Sequence, residues 1–368
     1  MQITRRSLIV GAGAAMVLPR AGFAAVHALD EGWLTTAGMG GGFAAVSVAD
    51  ELAATSRAPS KARLHGIVAS PRGPLAVAVG RRPGHVALVF DRVQGGQVQA
   101  FEPGAGRVFS GHGRFSNDGA LFLTNEIERG VDSGPHRAMG RGIVAVRSVA
   151  GNFAIVSEWP TGGDGPHDLM RVGPTLVVAN GGIEPNTPEA RDAEVTGSTI
   201  SLLDPDSGVQ QGEGALSADM ASLSLRHLAS DGRGSVVAAQ DLLKDGVARP
   251  LLFSISATGA LTPFDGPEGE LMALRGYVGS VALDRSGAFV ACASPRGGRV
   301  AVWQRDGRYI GAVPLMDGCG LAGTREAGQF IATSGYGEVI LLAASRDGVG
   351  VVARRTGGPQ FDNHVAEV

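Results

Sequence analysis

The sequence predicts an all-β, seven-bladed β-propeller, closed by N- and C-terminal strands that share one blade. Three observations predict it. Short apolar alternations cut by Gly, Asp and Pro recur along the chain, and long helical periodicity is hard to find after residue 30. Corresponding positions recur at steps of 47, 55, 60, 53 and 39 residues, which suits blades of four short strands. The two ends of the chain supply complementary fragments of one further unit.

The elements follow in chain order. "MQITRRSLIVGAGAAMVLPRAGFAA" places the basic pair Arg5-Arg6 before an apolar run from Ser7 to Leu18 and a small-residue tail. That order is a secretory signal, and "TRRSLIV" resembles the twin-arginine export motif. An ordinary secretory signal or an uncleaved anchor is the alternative. The apolar run falls short of the roughly 20 residues that span a bilayer. Residues 1–25 are therefore read as a leader, cut near Ala24 or Ala25, and residues 26–368 as a single propeller domain exported to the periplasm already folded. No second long apolar run follows, so no membrane span is expected after cleavage.

"GWLTTAGM", "GGFAAVSVAD" and "LAATSRA" read as three strands with no first strand before them. Six units then run from about His65 to Gly357, with strands such as "PLAVAVG", "ALFLTNE", "TLVVANG", "SVVAAQ", "FVACAS" and "QFIATSG". In "VWQRDGRYIGAV", Asp306-Gly307 supplies the positive-φ chemistry of a hairpin turn. "QFDNHVAEV" adds one more first strand with nothing after it. Joining it to the three N-terminal strands makes a seventh blade and leaves no sheet edge at the seam; six or eight blades are the alternatives. The 57 glycines among 368 residues, with aromatics at 5%, suit tight turns and slim strands.

Five of the eight histidines open the same kind of segment. His112, His167 and His227 each stand nine residues before the corresponding residue of the next strand, as does Ser280. Cys319 and His65 keep that offset to within a residue or two. A residue at the start of each first strand joins a ring around the channel mouth: His65, His112, His167, His227, Ser280, Cys319 and His364. Bracing within a single blade is the ordinary role of one such histidine. Five at one register point further, because several imidazoles round a narrow channel need a common partner. Neutral imidazole is the commonest transition-metal ligand and thiolate adds a soft one. His65, His112, His167, His227, Cys319 and His364 are therefore candidate ligands for iron or copper. Two or three of them bind while the rest orient, or a larger cluster sits there.

Residues about fourteen positions further on are expected on the same face. Among these, Glu126, Asn180 and Asp241 are candidate oxygen donors, and Arg82 and Arg296 are candidate anion holders; solvated loop charge is the competing reading. The loops at 126–140, 182–197 and 241–249 are long enough to wall one side of the mouth, and His136 lies in the first of them. Cys292 and Cys319 could bridge in an oxidising compartment or pack as small apolar groups. A net charge of −3 gives no reason to expect nucleic acid or an anionic membrane as partner. No G-x-S-x-G elbow and no phosphate loop is present; "GAGAA" lies in the leader and "GMGGG" leads into no helix.

"GHGRFSNDG", "GPHDL", "VANGGI", "LSLRHL", "GYVGS", "SPRGG" and "CG" occur in an order that resembles the bacterial family called domain of unknown function 1513. The resemblance covers nearly the whole mature chain. It implies an exported, periplasmic propeller of the YVTN or quinoprotein-amine-dehydrogenase-like kind, and partners of imelysin or di-haem type in iron-uptake clusters. Residues and resemblance together favour a metal-binding accessory or redox protein. A calcium-dependent lactonase using Glu126, Asn180 and Asp241, or an interaction platform with a structural histidine ring, are the alternatives.

Overall fold

The structure is a computed structural model that describes residues 32–49, 53–128, 141–182, 197–243 and 245–367. These residues form seven four-stranded antiparallel sheets. The inner strands are Leu64–Ala69, Arg107–Phe115, Pro166–Val172, Leu223–Ser230, Ser280–Leu283, Gly318–Gly323 and Gln360–Glu367. Each touches the next, and the last returns to the first, so the sheets close a ring. Blades are numbered from the sheet of Leu64–Ala69 as the first.

The burial of each strand explains its composition. Second strands have both faces covered by adjoining blades, so Leu75–Gly80, Thr175–Asn180, Phe289–Ser294 and Gln329–Ser334 are buried almost throughout. They read as continuous apolar runs, where each large side chain withdrawn from water contributes roughly 1.5–3 kcal/mol. Outer strands face solvent, and Gln97–Phe101 and Gln210–Ala215 are mostly polar and exposed. The core lies between blades: Leu123, Val144 and Val146 of the second meet Leu169, Leu176 and Val178 of the third.

The seventh blade forms from both ends of the chain in the order expected. Gln360–Glu367 pairs with Trp33–Met39, which continues to Gly42–Ala49 and Ala53–Ser60. The seam register sets Leu34 opposite Ala366 and Ala37 opposite Phe361. The Asp306-Gly307 hairpin also forms, joining Arg299–Gln304 to Tyr309–Pro314 with Gly307 at φ 94°. Among the described residues two short elements have no counterpart in the strand pattern: a 3-10 turn, Ala218–Met220, between the third and fourth blades, and a helix, Glu268–Ala273, between the fourth and fifth. No helix among the described residues is long and apolar enough to cross a membrane. The expected leader at 1–25, His136, and most of the loops at 126–140 and 182–197 lie outside the described residues.

Candidate metal centre

A regular antiparallel strand sends alternate side chains into the two faces of a blade, and neither direction is the channel axis. The inner strands escape this through β-bulges, which add unpaired residues and re-aim a side chain. Pairing jumps from Leu64 to Ile67 around His65, from Phe109 to Gly113 around His112, and from Pro166 to Asp168 around His167. It jumps again from Leu225 to Leu228 around His227, and between Phe361 and Val365 around His364. All five histidines therefore occupy irregular positions. His364 has φ 76°, a left-handed conformation that a non-glycine residue adopts at a cost.

The bulges bring the imidazoles together on the axis. His65 and His364 have ring centroids 4.6 Å apart, with their Nε2 atoms at 3.3 Å. His112 lies 4.7 Å from His364 and 5.0 Å from His167, and His227 lies 4.7 Å from His167, between centroids. Two sets of ligand atoms, each within 4.8 Å, can be drawn: His65, His112 and His364, and His112, His167 and His227. His112 belongs to both. Two glycines make this approach feasible. A Cβ on Gly111 would stand 2.7 Å from Cδ2 of His65, and one on Gly66 would stand 2.6 Å from the carbonyl oxygen of Gly111.

His65, His112, His167 and His227 are buried, and His364 is half-buried. Burial first, then the charge of neighbouring groups, holds each of those four well below the ordinary imidazole value. Burial pushes His364 down to about 4. The cluster is neutral at pH 7, the form that donates a lone pair to a metal. Nδ1 of His65, Nε2 of His112, both ring nitrogens of His167 and Nδ1 of His227 are buried without a hydrogen-bond partner.

Asp168, which residue types and spacing did not single out, lies in direct reach of the cluster. Its Oδ1 is 3.4 Å from Nδ1 of His112 and 3.6 Å from Arg114. The backbone N–H groups of Leu169 and Leu228 donate to Asp168 at 2.8 and 3.0 Å, fixing the carboxylate. A carboxylate on one imidazole nitrogen, with the other nitrogen free, is the arrangement that orients metal-binding histidines. The signal was present in "GPHDL", but strict alternation would send neighbours His167 and Asp168 to opposite faces.

The two sides of the histidine layer differ. Towards the C-terminal ends of the inner strands lies a cavity of about 260 Å³, reached by His112, His227, His364, Arg114 and Asp168 and otherwise largely apolar. On the other side the register gathers cations. Leu64 pairs with Gly80, so Arg81 and Arg82 follow at the strand-start end; Ser280 pairs with Ala293, which places Tyr277 and Arg296 there too. Arg226 adjoins His227 in its bulge. Burial, then Arg81, pushes Arg82 down to about 10, and burial, then Arg82, pushes Arg226 down to about 9, with Arg296 and Arg81 adding to the latter.

Other expected site residues belong elsewhere. Cys319 also sits in an irregularity, between Gly318 and Gly320, yet it departs from the expected ring. Its Sγ lies 3.4 Å from the carbonyl oxygens of both Phe361 and Asp362, and burial raises the thiol to about 12. Ser280 pairs regularly with Ala293, and its hydroxyl reaches the Leu321 carbonyl at 3.5 Å. Cys292 and Cys319 are free, buried thiols in separate parts of the core.

Glu126 is a correction of a second kind. It is wholly buried within its blade, 2.6 Å from Arg147, and it accepts hydrogen bonds from Thr124 and the Gly104 N–H. Asn180 is buried too and donates to Ser201 and Thr199. Asp241 pairs with Arg249 at 3.0 Å beside a separate cavity, which Arg296 also lines. Arg296 stacks on Tyr277 at 4.7 Å. The fourteen-residue offset thus leads to the ends of second strands, where Glu126, Asn180 and Asp241 bond inside their blades while Arg82 and Arg296 stand at the strand-start end of the channel.

A family model described as "Protein of unknown function (DUF1513)" matches residues 58–368. A search of curated proteins finds no match. Among solved structures, hydrazine synthase of Kuenenia stuttgartiensis is similar with a TM-score of 0.59 at 15% identity, covering 85% of this chain and 90% of that one. A functionally unknown protein from Desulfotomaculum acetoxidans has a TM-score of 0.59 at 11% identity, covering 91% and 98%. At such identities the likeness concerns the fold alone.

Proposed function

The chain belongs to the DUF1513 family, and from that premise, which supplies no activity, we propose that its channel histidines bind a transition-metal ion. The observation that carries the reading is the convergence of five neutral imidazoles, four of which leave buried ring nitrogens unpartnered. Each such atom costs about 1–3 kcal/mol when it has no partner, and a metal engages several at once. Bracing of the blades, the ordinary role of a lone histidine, would need ring nitrogens bonded to backbone. Among the described residues none of these five imidazoles makes such a bond; the ring-nitrogen contacts are with one another and with Asp168.

An all-imidazole donor set suits copper, iron, zinc or nickel and disfavours calcium or magnesium. Within that set the proposal is iron or copper, held by a metal-handling accessory or redox protein. It extends to export by the twin-arginine leader into the periplasm. Imelysin-type and di-haem proteins of iron-uptake clusters are the proposed partners. Nothing favours the lactonase reading, since Glu126, Asn180 and Asp241 are engaged inside their own blades.

The test is metal analysis and calorimetric titration of mature protein purified without a histidine tag. About one bound copper or iron per chain or more is expected. Because His112 belongs to both sets of donors, His112→Ala should weaken binding about a hundredfold or more. Substoichiometric metal, unchanged when His112 and His167 are replaced together, would overturn the proposal.

A further inference from the structure

Among the described residues, the cations Arg82, Arg226 and Arg296 at the strand-start end of the channel have no carboxylate partner. Arg63, nearby in sequence, shows what a partnered arginine looks like: it grips Asp362 with two hydrogen bonds of 2.6 and 2.9 Å. Arg82 makes no side-chain hydrogen bond or ion pair among the described residues. Among the described residues Arg226 makes one weak contact, from Nε to the Ser224 hydroxyl at 3.4 Å, and has no carboxylate within ion-pair distance. Among the described residues Arg296 is engaged only with the Tyr277 ring, and the Tyr277 hydroxyl accepts from Asn363 at 3.4 Å. Arg82 and Arg226 are each half-buried and Arg296 is exposed, and the charge of Arg82 opposes that of Arg226. Like charges held at one end of a channel repel one another, and an anion between them relieves that repulsion.

We infer that Arg82, Arg226 and Arg296, with the Tyr277 hydroxyl, form a binding site for a small oxyanion on one side of the histidine layer. Guanidinium groups from the first, fourth and fifth blades present paired N–H donors, which match a carboxylate or phosphate. The inference deepens the proposed metal-binding role. Arg226 adjoins His227 in one bulge, so an anion held by Arg226 would be a neighbour of the metal centre. The ligand class is then a polycarboxylate of the kind that chelates metals, or free phosphate.

Metal-stripped mature protein is titrated separately with citrate and with inorganic phosphate at low ionic strength, by calorimetry. Binding of one and not the other identifies the source. Arg226→Gln and Arg82→Gln should each weaken binding about tenfold or more, while Arg226→Lys retains part of it. His112→Ala should leave anion binding within about threefold, which separates this site from the fate of the metal reading. A second readout concerns stability: without anion, Arg226→Gln should raise the melting temperature, since it removes a repelled charge. The inference is overturned if neither anion binds more tightly than chloride. It is equally overturned if the double Gln variant binds as the parent does, or if Arg226→Gln lowers the anion-free melting temperature.

Discussion

Five blades of this ring place an imidazole on the axis, while the fifth and sixth place Ser280 and Cys319 at the equivalent register. In the histidine arc each inner strand breaks its pairing at the key residue, and the side chain leaves the plane of its sheet. In the other arc Ser280 stays in regular register, and the Cys319 thiol is spent on backbone carbonyls of the neighbouring seventh blade. A shared position in the repeat therefore does not fix a shared role. Local backbone irregularity, together with a side chain long enough to reach the axis, decides which blades contribute to the centre.

The sharpest way to break this contrast is Gly111→Val. It forces a β-branched residue into φ 108° and drives a Cβ against His65. Metal affinity should fall more than a hundredfold and the melting temperature by several degrees, on the order of a 1–3 kcal/mol backbone penalty. Ser280→Ala, the matching change in the other arc, should leave metal affinity within about twofold. Equal losses in the two variants would erase the distinction between the arcs.

A smaller effect is expected at Asp168. Asp168→Asn keeps the shape but removes the charge that orients His112, and affinity should fall about 10- to 100-fold with the fold intact. Unchanged affinity in calorimetry would show that His112 is positioned by packing alone.

The mildest difference between the arcs is their response to acid. The histidines have folded values below the unfolded one, so as pH falls below about 6.5 the unfolded chain takes up protons first. Stability is therefore fully present above that pH and is lost as pH drops towards the folded values, about 4 for His364. Metal-free protein should melt progressively lower between pH 7 and 5. His364→Asn, which tolerates the positive φ, should flatten that slope, and Cys319→Ser should not. Parallel melting curves for all three proteins would refute the assignment of acid sensitivity to the imidazoles.

Much of the architecture was legible because burial leaves a composition. Second strands such as "LAVAVG" and "QFIATS" are packed on both faces and so are apolar without interruption. The seam was legible because the two ends carry complementary numbers of strands. The convergence of the histidines was legible from their common offset. What stayed hidden depends on partners far apart in sequence. Glu126 looks like a loop carboxylate until Arg147 is placed beside it, 2.6 Å away. Asp168 and Arg226 adjoin expected ligands, but the bulges in which they sit are properties of strand pairing. Cys319 fits the register, and only the neighbouring carbonyls of the seam explain where its sulfur goes.

The strand Gln360–Glu367 zips the ring shut and also delivers His364. Circle completion and assembly of the innermost nitrogen cluster are thus a single event. Without that strand the set of His65, His112 and His364 is one donor short, whereas His112, His167 and His227 come from inner strands that need no help from the chain's end.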